Sequence, residues 1–128
     1  TDAVNELWGV GTSQAAQLLP LVDRALVAAT PSGGAGFELM TPAYDAPDAS
    51  AEAKLSERLA GLRFHRFDAH VAAWMAAGLT AQAVKALAPG PARDAIEADT
   101  NRRAGVAYAT LDPSERLDLL AGLGALSG

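Results

Sequence analysis

The sequence of 128 residues lacks several features that define other classes of protein. It contains no cysteine, which excludes a disulfide framework, a thiolate metal site and a cysteine nucleophile. No apolar run approaches the roughly 18 residues that span a bilayer, and the chain begins with neither a signal peptide nor a basic presequence. We therefore expect a cytoplasmic protein without a membrane partner. Because the first residue is Thr1 and not methionine, the sequence is consistent with a fragment or shortened version of a longer protein.

Aromatic and β-branched residues are also scarce. Aromatic residues account for 5% of the sequence, whereas alanine and leucine are abundant, and this balance favours helix over sheet. Apolar residues reach 50%, which is enough for one core of ordinary size in a chain of this length. The composition therefore predicts an all-α fold, a single-domain orthogonal helical bundle that covers residues 1–128.

Positive charge is in deficit. The formal net charge is -5, which opposes the electrostatic attraction that dominates binding to nucleic acids. We therefore do not expect a nucleic-acid partner unless a local basic patch supplies that attraction.

Turn and capping residues divide the chain into helical segments. Thr12 or Ser13 is the expected cap of the second segment, and Pro20 predicts a kink or a late start near Leu19. A Pro-rich loop at residues 41–50, with Pro42 and Pro47, precedes the long segment that begins at Ser50. We predict helical segments at 1–8, 12–29, 37–40, 50–78, 80–88, 92–104 and from 113 to the C-terminus.

The last helix has the clearest start. Asp112 is the expected cap, Pro113 the first helical residue and Glu115 the third, as in a capping box. Four leucines follow at intervals of three residues, and we predict that they share one side: Leu117, Leu120, Leu123 and Leu126. An apolar side of this kind suits either a core or the interface of a homodimer.

The long segment at 50–78 organises the rest of the chain. Ser50 is its expected N-cap, and Gly78 fits the position after its last turn. Within it, residues 63–70 read RFHRFDAH, the densest group of reactive side chains in the sequence. The members of this group are Arg63, His65, Arg66, Asp68 and His70.

Helical spacing divides this group into two sets. Large apolar side chains occupy one sector of the helix: Leu55, Leu59, Leu62, Phe67 and Trp74. Arg63, Arg66 and His70 fall within the same sector, so we predict that they face the core. His65 and Asp68 project from another side.

Buried cations require partners, because an unpaired charge in the interior is strongly destabilising. One hypothesis is a structural ion-pair network. In this network Arg63 and Arg66 take acidic partners from another helix, for which Glu97 and Asp99 are the candidates.

The alternative hypothesis is a binding pocket floored by Arg63, Arg66 and His70, with Phe67 or Trp74 as an apolar wall. Arginine side chains bind carboxylates and phosphates through two parallel hydrogen bonds, so the expected ligand is a small anion. Our leading functional hypothesis is a non-enzymatic helical domain that binds such a ligand, as a sensor or accessory regulatory protein.

A second functional hypothesis is an enzyme in which His65, Asp68 and His70 perform acid-base chemistry, with or without a metal. The two histidines are five residues apart, which splays their rings, unlike the spacing of four in a zinc-binding helix. The sequence also lacks a Gly-x-Ser-x-Gly motif and a phosphate-binding loop that follows a strand. We therefore expect neither a metal nor another cofactor.

A third hypothesis is a dimeric remnant of a transcriptional regulator. Residues 71–87 read VAAWMAAGLTAQAVKAL and resemble a helix-turn-helix core with Gly78 at the turn. However, Trp74 occupies a position that is usually small. The would-be recognition helix offers only Gln82 and Lys85 for contacts with DNA.

Two stretches carry a resemblance to a known family: RFHRFDAHVAAWMAAGL at 63–79 and AIEADTNRRAGVAYATL at 95–111. They resemble an actinobacterial family of mostly uncharacterised, all-helical proteins that is described as a helix-turn-helix family. Its members commonly show the motif Arg-x-His-Arg-Gly-Asp-Gly-His, in which Phe67 and Ala69 replace the two glycines here. The resemblance implies an all-helical fold but no catalytic residue. Family members carry a winged-helix-like segment for which this chain has only residues 80–94, so the resemblance does not imply DNA binding.

Overall fold

The computed structural model describes residues 11–127, and all regular secondary structure in that range is helical. Two short 3-10 helices, Thr30–Ser32 and Val106–Tyr108, accompany the α-helices. The α-helices are α1 (Gly11–Ala29), α2 (Ala35–Met40), α3 (Ala51–Ala76), α4 (Ala81–Lys85), α5 (Pro91–Gly105) and α6 (Pro113–Ser127). The prediction of an all-α fold is therefore confirmed. The short helix predicted at 1–8 lies outside the described residues.

The longest helix is α3, which has 26 residues and which we call the central helix. It begins after Ser50, whose hydroxyl oxygen accepts a hydrogen bond of 3.1 Å from the Ala53 N–H, as an N-cap does. It ends before Gly78, which has a positive φ of 77° that favours glycine. Helices α1, α2 and α5 all pack against it, so its predicted central position is confirmed.

The core is built largely from one stripe of α1. Its members recur at intervals of three and four residues and are almost fully buried: Ala15, Leu18, Val22, Ala25 and Ala29. Phe37 of α2, Leu55 of the central helix and Leu111 pack into the same cluster. Because five of these side chains are large aliphatic or aromatic groups, their burial supplies much of the hydrophobic stabilisation.

An arginine on the central helix ties three parts of the fold together. Arg58 has a side chain only 14% exposed, and its guanidinium donates to Asp23 of α1 at 2.6 Å. It also donates two hydrogen bonds of 2.8 Å to the Asp45 carboxylate, in the loop before the central helix. The Arg58 guanidinium lowers the pKa of Asp45 because its hydrogen bonds favour the ionised carboxylate.

The first helix differs from its prediction in two respects. Thr12 and Ser13 lie inside α1, so neither residue caps it. Pro20 also lies inside the helix, so a late start near Leu19 is wrong. The helix continues through the proline because Leu18 and Val22, on either side of it, are both buried in the core while Pro20 itself is exposed.

The second of the short helices is also shorter than predicted. The Thr80 side chain caps α4 by accepting a hydrogen bond of 3.1 Å from the Ala83 N–H. The helix ends at Lys85 rather than at residue 88. Pro89 limits a longer helix, because a proline disfavours helical geometry in the residue before it, Ala88.

The start of α6 is confirmed, but its buried side is not. The Glu115 N–H donates to the Asp112 carboxylate at 2.8 Å, and the Asp112 N–H donates to the Glu115 carboxylate at 3.0 Å, which completes the capping box. Leu117 and Leu120 are 67% and 69% exposed, whereas Leu119 is buried. The prediction of one leucine side is wrong because steps of three residues drift around a helix of 3.6 residues per turn.

No helix between residues 11 and 127 is long and apolar enough to span a membrane.

Candidate functional site

The buried face of the central helix matches only in part the one that the large apolar residues predict. Arg63 and Arg66 are exposed, so their predicted burial is wrong, and Phe67 is 58% exposed. The buried face instead uses small residues that let neighbouring helices approach: Gly61, Ala69 and Ala73, together with Leu55, Leu62 and His65. A side chain at Gly61 would lie 3.0 Å from a methyl carbon of Leu26 in α1, which explains why a small residue faces the core there.

Asp68 binds the backbone at the N-terminal end of α2. Its two carboxylate oxygens accept hydrogen bonds from the N–H groups of Gly34, Gly36 and Phe37, at 3.0, 3.2 and 2.9 Å. The first N–H groups of a helix lack partners within the helix, and a carboxylate from another element supplies them here. A side chain at Gly34 would lie 3.0 Å from the Asp68 carboxylate carbon, so the glycine permits this close approach.

His65, one turn earlier in the central helix, binds the segment just before α2. Its Nε2 lies 2.9 Å from the Ser32 hydroxyl oxygen, and the Ser32 hydroxyl lies 3.2 Å from the Ala29 carbonyl oxygen, to which it can donate. The imidazole ring meets the ring of Phe37 edge-on, with centroids 5.6 Å apart. Burial lowers the pKa of His65, and the negative charge of Asp68 opposes that effect in part.

The contacts of Arg66 confirm one part of the ion-pair hypothesis, its pairing with Glu97. Its guanidinium donates to the Glu97 carboxylate at 3.1 Å and to the Asn101 side-chain oxygen at 2.8 Å, both on α5. Asp99, the other proposed partner, instead binds Arg102 and Arg103 of its own helix. The Arg66 and Glu97 side chains are 50% and 61% exposed, so their attraction contributes little to stability.

Arg63 and His70, which were predicted to floor one pocket, line two different cavities. Arg63 lines a cavity of about 290 Å³ between the central helix and α6, together with Leu59 and Leu123. It forms no ion pair with any residue between positions 11 and 127. The ion-pair hypothesis is therefore wrong for Arg63, whose side chain is exposed to solvent.

His70 lines a second cavity, of about 360 Å³, between the central helix, α4 and α5. Its Nδ1 lies 3.2 Å from the Thr100 hydroxyl, which itself donates to the Ile96 carbonyl oxygen at 2.8 Å. Because that hydroxyl proton is already engaged, Nδ1 of His70 is the donor in their hydrogen bond. The other ring nitrogen, Nε2, takes no part in this hydrogen bond.

Two further basic residues line the same cavity. Lys85 is the last residue of α4 and Arg93 is in the first turn of α5, and the Pro-Gly-Pro turn between these helices brings both side chains to the cavity. We call the space bounded by His70, Lys85 and Arg93 the cationic cavity. Sequence reasoning missed this convergence, although two basic residues on either side of a tight turn were a signal for it.

The positive charges of the cationic cavity are not neutralised by acidic residues in its wall. Neither Lys85 nor Arg93 forms an ion pair with another residue of the described range. The acidic residue in its wall, Glu97, is already bound by Arg66. The cavity therefore presents an excess of positive charge, which favours an anionic occupant.

This geometry gives little support to the other two functional hypotheses, the enzyme and the remnant of a transcriptional regulator. His65, Asp68 and His70 do not meet, because the first two bind the loop before α2 while His70 binds Thr100 of α5. Among residues 11–127, no three His, Asp or Glu side chains are grouped so that they could hold a metal ion. The would-be recognition helix of the helix-turn-helix, α4, has only five residues.

Comparisons of the chain with protein-family models, with curated proteins and with solved structures found no match. The fold and the site thus define an all-helical protein with a cationic cavity beside its longest helix.

Proposed function

We propose that this chain is a non-enzymatic protein that binds a small anion in the cationic cavity. The observation that carries the proposal is the convergence of Lys85 and Arg93, which have no acidic partner in the described range, on a cavity that His70 also lines. An arginine presents two parallel N–H groups to a carboxylate or phosphate, and a lysine adds a mobile positive charge. The volume of about 360 Å³ falls in the range of small-molecule sites.

This proposal keeps the class of ligand that the sequence predicted and changes most of the residues that would bind it. His70 remains, whereas Lys85 and Arg93 replace Arg63 and Arg66. Arg66 acts indirectly in this account, because it holds the Glu97 carboxylate at 3.1 Å and so neutralises the acidic part of the cavity wall.

Calorimetric titration with inorganic phosphate and with benzoate tests the proposal. Each anion carries a negative charge that Lys85 and Arg93 can bind. We therefore expect saturable binding of at least one of the two anions. Arg93→Ala should weaken that binding at least tenfold, which corresponds to about 1.4 kcal/mol. Lys85→Ala should weaken it severalfold.

The matched control is Arg63→Ala, which removes an equal charge from the other cavity. We expect the affinity of this variant to stay within twofold of that of the wild type. Failure of the wild type to bind either anion would overturn the proposal. Equal losses of affinity in Arg63→Ala and Arg93→Ala would do the same, because they would indicate a general effect of net charge.

A further inference from the structure

An apolar groove lies directly beside the cationic cavity. It has a volume of about 430 Å³ and runs between the C-terminal end of the central helix and the first turns of α5. Leu87 and Ile96 line both the groove and the cationic cavity, so the two spaces share a wall and adjoin at these side chains. The two spaces therefore lie next to each other, and a ligand that crosses Leu87 and Ile96 would reach both.

The groove offers almost no polar group to a ligand. Apart from Asp99, its lining side chains are alanine, leucine and isoleucine, with Ala73, Leu79 and Ala95 among them. The Asp99 carboxylate is already bound by Arg102 and Arg103. A polar substituent placed in this groove would find almost no hydrogen-bonding partner in its wall, whereas an alkyl chain would gain from the apolar surface that it covers.

We infer that the anion bound by this protein carries an apolar tail, which lies in the groove while its carboxylate or phosphate head lies in the cationic cavity. The ligand class is thus an amphiphile with one anionic head, such as a medium-chain alkyl carboxylate or an alkyl phosphate. This inference rests on the proposed anion site and adds the nature of the rest of the ligand. Charge complementarity places the head, and the shared wall of Leu87 and Ile96 gives the direction of the tail.

Calorimetric titration with a series of anions of increasing chain length tests the inference. The probes are inorganic phosphate, acetate, hexanoate, octanoate and decanoate, with decyl phosphate beside decanoate to compare the two heads. All concentrations stay below those at which micelles form. Each methylene group buried in the groove should strengthen binding by about fourfold, so octanoate should bind at least tenfold more tightly than hexanoate.

The variant Ala95→Trp tests whether the groove holds the tail. Ala95 is exposed and lines the groove, so the indole ring should fill that space without disturbing the core. We expect this variant to bind phosphate as the wild type does and to lose the gain in affinity with chain length. Ala98→Trp is the control, because Ala98 is an exposed residue of the same helix that does not line the groove. This control should keep the full chain-length dependence.

Two results would overturn the inference and can be told apart. If phosphate binds and Arg93→Ala removes that binding, but affinity does not rise with chain length or rises equally in Ala95→Trp, the tail is wrongly placed and the anion site stands. If neither phosphate nor any carboxylate or decyl phosphate binds, the proposed anion site fails together with the inference. A rise in affinity that Ala95→Trp removes and Ala98→Trp keeps supports it.

Discussion

His65 and Asp68 lie one turn apart on the central helix, and both side chains bind the loop between α1 and α2. Asp68 accepts one backbone hydrogen bond from Gly34 of that loop and two from the first turn of α2, and His65 contacts the Ser32 hydroxyl and the Phe37 ring. Two of the most reactive side chains in the sequence thus have a structural role, because they fix the start of α2 and the segment before it to the central helix. Arg66 and His70, the neighbours of this pair, contact α5 instead.

The first prediction concerns the carboxylate of Asp68. Asp68→Ala should lower the free energy of unfolding by about 2–3 kcal/mol, because three N–H groups at the start of α2 lose a charged acceptor. Asp68→Asn keeps one acceptor oxygen and should cost less. Chemical denaturation measures both changes. Asp48→Ala, at an exposed position before the central helix, should change stability by less than about 0.5 kcal/mol. Equal effects at positions 48 and 68 would contradict the assigned role.

The second prediction is a dependence of stability on pH. Burial lowers the pKa of His65 in the folded state, so the unfolded chain binds more protons at this residue over the interval between the two pKa values. Stability should therefore fall as the pH drops through the unfolded value of about 6.5. Urea denaturation at about pH 7.5 and about pH 5.5 measures this loss.

Variants separate the two histidines in that experiment. His65→Gln should reduce the loss of stability between the two pH values, because it removes the buried titrating ring. His70→Gln should leave most of the loss in place. If stability were the same at both pH values in the wild type, the buried neutral state of His65 would be contradicted.

The third prediction compares two helical glycines. A Cβ atom at Gly122 of α6 would lie 2.5 Å from a methyl carbon of Leu18, whereas a Cβ atom at Gly105 would meet nothing within 4 Å. Gly122→Ala should therefore destabilise the protein by about 1–3 kcal/mol through overpacking. Gly105→Ala should be neutral or stabilise it by up to about 1 kcal/mol, since alanine favours helical geometry. Thermal unfolding distinguishes the two, and a stabilising Gly122→Ala would contradict the packing of α6 on α1.

The fourth prediction concerns the acidic residue in the wall of the cationic cavity. Glu97→Gln removes a negative charge that would repel a bound anion, so phosphate should bind about threefold to tenfold more tightly. Glu57→Gln makes the same change of charge at an exposed position outside this cavity and should have little effect. Weaker phosphate binding by Glu97→Gln than by the wild type would argue against an anion in this cavity.

The fold could be predicted from the sequence where local signals determine it. Ser50, Gly78 and the pair Asp112 and Glu115 mark helix ends through hydrogen bonds and backbone angles that depend on neighbouring residues alone. Pro20 predicts a late start of α1 that the structure does not show, because buried residues on both sides of the proline hold the helix together.

The candidate site was harder to predict because it depends on contacts between distant segments. Helical spacing predicts that Phe67 faces the core, yet the side of the helix that faces the core is the one whose small residues allow close packing, such as Ala69. Lys85 and Arg93 meet at one cavity only after the turn between α4 and α5 has folded. His70 was identified in the sequence, but its partner Thr100 lies 30 residues away.

Nuclear magnetic resonance of the two histidine rings tests the central claim most directly, because the chain contains only His65 and His70 and one histidine variant assigns their signals. The wild type is titrated separately with inorganic phosphate and with decanoate. The account predicts that at least one of these anions shifts the imidazole signals of His70 saturably, leaves those of His65 unchanged and loses its effect in Arg93→Ala. A His70 signal that stays unchanged in both titrations, or a larger shift at His65, would contradict it.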